Sequence, residues 1–246
     1  MNFPSTATRT VPADRYRCNG CLSRRQGFCK ALDLCVRAEL KRPSRQHLLA
    51  AGESVCFNKG GQRSAFMVGS GLLKLYKPLR DGRCQIVRLL HPGDFLDEAT
   101  GSAGARITAI SDSELCLFSA EDYEGLRQER PDVLMRQLEA TQRELRKAHN
   151  RLLQLGRLGA IERVATFLLD SAERCREAGW GAAEFEIQLP RVDIADYLGL
   201  TTETVSRALS RLKRSGWIEM PRATSFLLVD ELQLAELAEG KRSLDV

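Results

Sequence analysis

The stretch DIADYLGLTTETVSRALSRLKRSGWI, residues 193–218, constrains this chain most tightly. Asp193 to Leu198 reads as a short helix with Ile194, Ala195 and Leu198 on its inner side. Gly199 supplies the tight turn that lets two helices cross. Thr201 is a good N-cap, because its hydroxyl can accept from an otherwise unpaired backbone N–H. The spacing predicts a second helix from about Thr202 to Ser215, with Val205, Leu209 and Leu212 turned inward. Thr202, Glu203, Ser206 and Arg207 are then left on the exposed N-terminal turns. Those are the turns that a recognition helix presents to the major groove of double-stranded DNA.

The residue types suit that placement. Arg207 can donate two hydrogen bonds to guanine O6 and N7, Glu203 can accept from cytosine N4, and Ser206 can do either. A glutamate beside phosphates is costly unless it meets a base donor or an arginine, so Glu203 points to sequence reading rather than attraction by charge alone. Arg211, Lys213 and Arg214 suit phosphates. Trp217 to Met220 and Ser225 to Val229 predict a small β-wing. The bland alternative is an ordinary helical hairpin.

Upstream, the hydrophobic period changes twice. Between about 46 and 120 the runs SAFMVGSGLLKLYK, CQIVRLLHPGDF and ARITAISDSELCLF have hairpin-length strand character, with Gly69, Gly71, Gly82 and Gly93 where turns are expected. A small β-barrel or jelly roll follows. Beyond about 120, Leu134, Leu138, Thr141, Leu145, Ala148, Leu152 and Leu155 alternate spacings of four and three, a heptad seam. So narrow a stripe favours a second copy of the chain over packing on its own barrel. A further helix begins at AIERVATFLLDSAERCREAG, and the polar stretch AGWGAAEF leads to the C-terminal unit.

At 246 residues with 43% hydrophobic content, the chain can fill two modest cores. A net charge of +5 permits nucleic-acid binding without establishing it. No apolar run approaches the roughly 18 residues that cross a bilayer, and MNFPSTATRT lacks the apolar core of a signal peptide. A cytoplasmic protein is expected, with no membrane partner. Its eight cysteines are then not expected to form disulfides. Cys56, Cys84 and Cys175 read as ordinary buried residues. Cys18, Cys21, Cys29 and Cys35 stand close together in an N-terminal arm whose first 17 residues look disordered. Thiolates so grouped can ligate zinc or an iron–sulfur centre, and spacing alone does not choose between them.

In order of parts, the chain resembles the CRP/FNR superfamily of bacterial regulators over most of its length. DIADYLGLTTETVSR is similar to the FNR and FixK/FnrN branch, with Glu203, Ser206 and Arg207 at the base-reading positions. The resemblance implies an α+β fold. An N-terminal arm with the cysteines (1–35) precedes a β-roll of the cupin-like jelly-roll kind (36–122). A long dimerisation helix (123–158) and a winged helix-turn-helix (159–246) follow. It implies a homodimer on a TTGAT, four bases, ATCAA palindrome, with Leu138, Leu145, Ala148, Leu152 and Leu155 at the interface. RNA polymerase contacts are expected on barrel loops such as Asp81 to Arg83.

For the sensor, the FnrN-like branch has the spacing of two and then seven residues seen at Cys18, Cys21 and Cys29, with a distant ligand matching Cys116. The resemblance implies a 4Fe-4S cluster on Cys18, Cys21, Cys29 and Cys116, with Cys35 a bystander. It also implies an oxygen-responsive activator of low-oxygen metabolism, with nitrogen fixation as a further expectation by analogy. One departure is notable. Where such sensors carry an acidic residue in the dimer seam, this chain has Ala148, which predicts weaker dependence of dimerisation on the cluster.

Other classes fit less well. The cyclic-nucleotide receptors of the superfamily use an Arg-Ser or Arg-Thr pair after a Gly-Glu segment. GDFLDEATGSAGARITA contains Glu98 but no such pair, so no cyclic nucleotide is expected. His47, His91 and His149 sit in no distinctive haem context. No phosphate-cradling glycine loop or nucleophile–base pair stands out, and an enzyme is not expected. The alternatives kept open are a cluster-free or thiolate-zinc regulator of the same fold, and a zinc or redox protein that does not act on DNA.

Overall fold

A computed structural model describes residues 9–11, 27–30, 45–55, 64–96, 105–177, 184–187 and 189–242. The chain divides into two compact units, with the boundary between Leu145 and Arg146.

In the first unit the strands are β1 (Arg9–Val11), β2 (Arg45–Leu49), β3 (Ser54–Val55), β4 (Ser64–Ser70), β5 (Leu73–Pro78), β6 (Cys84–Leu90), β7 (Phe95–Leu96), β8 (Arg106–Ala109) and β9 (Ser113–Ser119). They form a five-stranded sheet, β1-β2-β9-β4-β7, and a four-stranded sheet, β3-β8-β5-β6. All described pairings in both are antiparallel. The three apolar runs each fold into two strands. A short helix, α1 (Gly27–Lys30), lies in the cysteine-rich segment.

Strand periodicity of two explains the core. Leu115 and Leu117 of β9, with Phe66 and Val68 of β4, join Leu73, Leu75, Leu90 and Ile107 from the other sheet. The alternate residues of β9 and β4, Cys116, Phe118, Ala65 and Met67, form a second cluster on the opposite face of the five-stranded sheet. Helices α2 (Ala120–Glu129) and α3 (Pro131–Arg157) cover this face through Tyr123 and Val133. Ser119 caps α2 by accepting from the Asp122 N–H at 3.1 Å.

Two expectations for this unit need correction. The first 17 residues are not wholly without structure: Arg9, Thr10 and Val11 pair with Leu48, His47 and Gln46. The outer side of β2 otherwise presents unpaired backbone groups, and a short extended segment satisfies them. Gly71, Gly82 and Gly93 have positive φ, as turns require, but Gly69 does not. Gly69 lies inside β4 at a register shift, where an added Cβ would stand 3.2 Å from the Glu114 carbonyl oxygen. Close strand approach, not a turn, demands glycine there.

The second unit begins within α3 and continues through α4 (Ala160–Glu177), β10 (Glu184–Glu186), α5 (Arg191–Leu198), α6 (Thr202–Arg214), β11 (Ile218–Arg222), β12 (Ser225–Leu228) and α7 (Glu231–Ala238). Val164, Ala165, Phe167 and Leu168 form the buried stripe of α4. The wing is three-stranded, β10-β12-β11, rather than a lone hairpin. Its extra strand falls in what reads as a polar connector. Phe185 pairs with Phe226 across it, ring centroids 6.0 Å apart. Cys84 and Cys175 are half-buried rather than core residues, and burial pushes the Cys175 thiol pKa up. Cys56 lies outside the described residues.

Candidate nucleic-acid interface and sensor site

The recognition element is built locally. Gly199 ends α5 in the left-handed conformation, φ 64°, and its N–H bonds back to the Ala195 carbonyl. Thr201 Oγ1 accepts from the Thr204 N–H at 3.1 Å and starts α6. Val205, Ala208, Leu209 and Leu212 are buried, which fixes which side of α6 faces away.

That outward side carries every predicted DNA-reading residue. Glu203, Ser206, Arg207 and Arg211 line one shallow hollow together with Ser210 and Arg214. Thr202 is exposed one turn earlier. The Glu203 and Arg207 side chains are 76% and 70% exposed, so both are open to a partner. Arg207 Nη2 approaches Glu203 Oε1 at 3.4 Å, so the glutamate has an arginine within reach. Ser206 and Ser210 turn their hydroxyls to the carbonyls of Thr202 and Ser206, both at 2.9 Å. Both residues are exposed. Ser210 extends the row beyond the residues that the sequence singles out; its signal is its place one turn beyond Ser206. Arg211, Lys213 and Arg214 crowd the last turn, where cations also complement the helix dipole.

The sensor cysteines come together in part. Cys116 is 4% exposed in the middle of the five-stranded sheet, with Gln46 beside it on β2 and Met67 on β4. Cys29 of α1 donates its thiol to Met67 Sδ at 3.2 Å. It packs against the same cluster as Cys116, with Tyr123, Val133, Leu126 and Ala140. Phe95 and Phe118 flank Tyr123 at 4.9 Å and 6.2 Å between centroids. Cys18, Cys21 and Cys35 lie outside the described residues. Among the described residues, no group of three or more His, Cys, Asp or Glu side chains could hold a metal ion. Of the four cysteines expected to act together, Cys29 and Cys116 are described, and both pack in one cluster.

On α3 the seam positions face outward in single copy. Leu138, Leu145 and Leu152 are 48%, 55% and 67% exposed. Ala148 is exposed and Leu155 half-buried. Thr141 turns its hydroxyl onto the Gln137 carbonyl at 2.9 Å, which satisfies it within the helix. At the tip of the β5–β6 hairpin, Arg83 Nε donates to Asp81 at 2.8 Å, and that hydrogen bond holds the Asp81 carboxyl below its ordinary pKa. No helix among the described residues is long and apolar enough to cross a membrane.

Residues 162–237 match the Crp-like helix-turn-helix domain, and residues 46–130 match the cyclic nucleotide-binding domain. The nitrogen fixation regulation protein FixK of Bradyrhizobium diazoefficiens is 37% identical over 209 residues, 85% of this chain and 88% of its own length. The transcriptional activator protein FnrL of Cereibacter sphaeroides is 35% identical over 234 residues, 93% of this chain and 94% of its own. The structure of FixK2 from Bradyrhizobium japonicum superposes with a TM-score of 0.72 at 32% identity, covering 82% of this chain and 99% of that one. The chain belongs to the CRP/FNR family, and it is a DNA-binding transcription regulator of that type rather than an enzyme.

Proposed function

We propose that the chain is a dimeric, oxygen-responsive activator of genes for low-oxygen metabolism. It works in the cytoplasm on a TTGAT, four bases, ATCAA palindrome. The observation that carries the DNA half is the exposed row Glu203, Ser206, Arg207 on a helix whose other side is buried. Arg207 reads a guanine bidentately and Glu203 accepts from a cytosine amine. Arg211 and Arg214 hold phosphates and set register. The exposed leucines of α3 suit a second copy, and two-fold symmetry then places two recognition helices about 34 Å apart, one per half-site. The relatives' names, a nitrogen fixation regulator and a transcriptional activator, support activation. The exposed Asp81–Arg83 tip is a candidate surface for RNA polymerase.

The sensor half rests on Cys29 and Cys116 sharing one packed cluster with Val133 and Ala140 of α3. Cys18 and Cys21 complete the ligand set in this reading. When bound, a 4Fe-4S cluster supplies an oxygen-labile link among four thiolates. The protein's part would be to tie that group to α3: Cys116 would hold it to the sheet, and Val133 and Ala140 of α3 pack in the same cluster as Cys29 and Cys116. The long helix is the two-state element that the thiolates bias.

The test is anaerobic purification with an absorption spectrum, iron and sulfide analysis, and DNA binding before and after air. About four irons and four sulfides per chain, with air-sensitive DNA binding, is the expected outcome. A second reading, a cluster-free regulator of the same fold, has its own support: the contact with Met67 satisfies the Cys29 thiol without a metal. DNA binding indifferent to air, from protein without iron or sulfide, would favour it.

A further inference from the structure

The end of the long helix is fastened to the turn of the helix-turn-helix by two arginines that touch no predicted DNA-reading residue. Arg163, in the first turn of α4, donates from Nε to the Leu158 carbonyl at 2.9 Å and from Nη2 to the Leu155 carbonyl at 2.9 Å. Its Nη1 donates to the Leu198 carbonyl at 3.2 Å. The final carbonyls of a helix have no partner within it and carry its negative dipole end, so a cation that gathers several is well placed. Leu155 belongs to the last turn of α3, and Leu198 is the last residue of α5. One guanidinium therefore spans both helix ends.

Arg151 makes a second link from one turn earlier in α3. Its guanidinium carbon lies 3.9 Å from the centroid of the Tyr197 ring, and Nη1 donates to Gln154 Oε1 at 2.9 Å. Among the described residues its buried Nη2 has no hydrogen-bond partner, so the ring face and Gln154 hold the head in place. Phe167 of α4 packs against the same tyrosine, centroids 5.8 Å apart. Burial draws the Arg151 pKa below its ordinary value and raises that of Asp170, and the two charges partly offset each other.

Tyr197 and Leu198 immediately precede Gly199, the turn that aims α6. Arg151 and Arg163 meanwhile hold the turns of α3 that carry the seam residues Leu152 and Leu155. We infer that Arg151 and Arg163 are positioning residues that fix the recognition helix against the end of the dimer helix and thereby set the half-site spacing the protein accepts. This rests on the symmetric-dimer reading above. In a dimer, any angular freedom between α3 and α6 is expressed twice, as a change in the distance between the two recognition helices. Contacts within one half-site do not depend on that angle.

The test is a binding series on palindromes whose TTGAT and ATCAA halves are separated by three, four or five bases. The full-length protein is compared with Arg163→Lys, which keeps the charge but cannot reach three carbonyls, and with Arg151→Gln. The unchanged protein should favour the four-base spacer by roughly tenfold or more, because other spacings require twisting or bending the DNA. In each folded variant that preference should fall to within about threefold. Discrimination among half-site base substitutions and the thermal melt of each variant serve as controls for an intact recognition helix. Variants that melt normally and keep the full spacer preference would overturn the assignment. Arg151→Gln decides the matter if Arg163→Lys does not fold. An unchanged protein without any spacer preference would overturn the palindrome reading itself, and the assignment with it.

Discussion

Glu203 and Arg207 stand one turn apart on the open side of α6, with Glu203 Oε1 3.4 Å from Arg207 Nη2. An exposed pair of this kind contributes little to stability. Its use is to hold the guanidinium toward the hollow while the carboxylate stays available. Glu203→Ala should relax discrimination at one base pair by about 1–3 kcal/mol at its cognate base. Overall affinity should fall less, because a negative charge beside phosphates has gone. Competition assays over a panel of half-site variants measure both; unchanged discrimination at every position would refute the docking.

Cys116 and Cys35 differ in role if the sheet-anchored ligand set is right. Cys116→Ser should abolish anaerobic iron and sulfide binding, while Cys35→Ser should leave both intact. The opposite pattern would place the metal in a compact N-terminal site and remove the sheet from the mechanism. The buried position of Cys116 makes a thermal melt of the serine variant a necessary control.

The seam on α3 makes a prediction about the metal-free protein. Leu145 and Leu152 are more than half exposed in one copy, and burying a leucine contributes about 1.5–3 kcal/mol. With Ala148 between them and no acidic residue there, metal-free protein should sediment largely as a dimer at micromolar concentration. Leu152→Glu should turn it into a monomer through lost burial and like-charge repulsion. A strict monomer for the unsubstituted, metal-free protein would refute the weaker coupling expected from Ala148.

The burial of His47 predicts a pH response in the first unit. His47 is 2% exposed on β2, and among the described residues neither ring nitrogen has a hydrogen-bond partner. Burial lowers its pKa from the ordinary histidine range, partly offset by Glu53. The unfolded chain therefore binds a proton more readily than the folded one, so stability declines as pH falls from about 6.5 toward the lowered value. Above that range His47 is neutral in both states and exerts no pH effect. Urea unfolding at several pH values should show this decline, and His47→Leu should flatten it. An equally steep decline in the variant would assign the effect to other groups.

Much of the second unit is legible before folding, because its signals act over a few residues. The Gly199 turn, the Thr201 cap and the inward set Val205, Leu209 and Leu212 depend only on backbone sterics, one local hydrogen bond and helical spacing. The exposed row follows by subtraction. The hairpin runs and the α3 seam are legible for the same reason. Four features depend on tertiary structure. Arg9–Val11 becomes a strand by pairing with the edge of β2, and Glu184–Glu186 joins the wing by pairing with β12, where Phe185 meets Phe226. Cys29 meets the cluster of Cys116 through Met67, 38 residues away along the chain, and Arg163 reaches Leu198 across 35. Periodicity and capping are properties of neighbours in sequence, so the residues alone determined the recognition helix and its reading face, the α3 seam and the strands of the three apolar runs. Strand pairing, thiol placement and the arginine links are properties of neighbours in space, which only the packed chain defines.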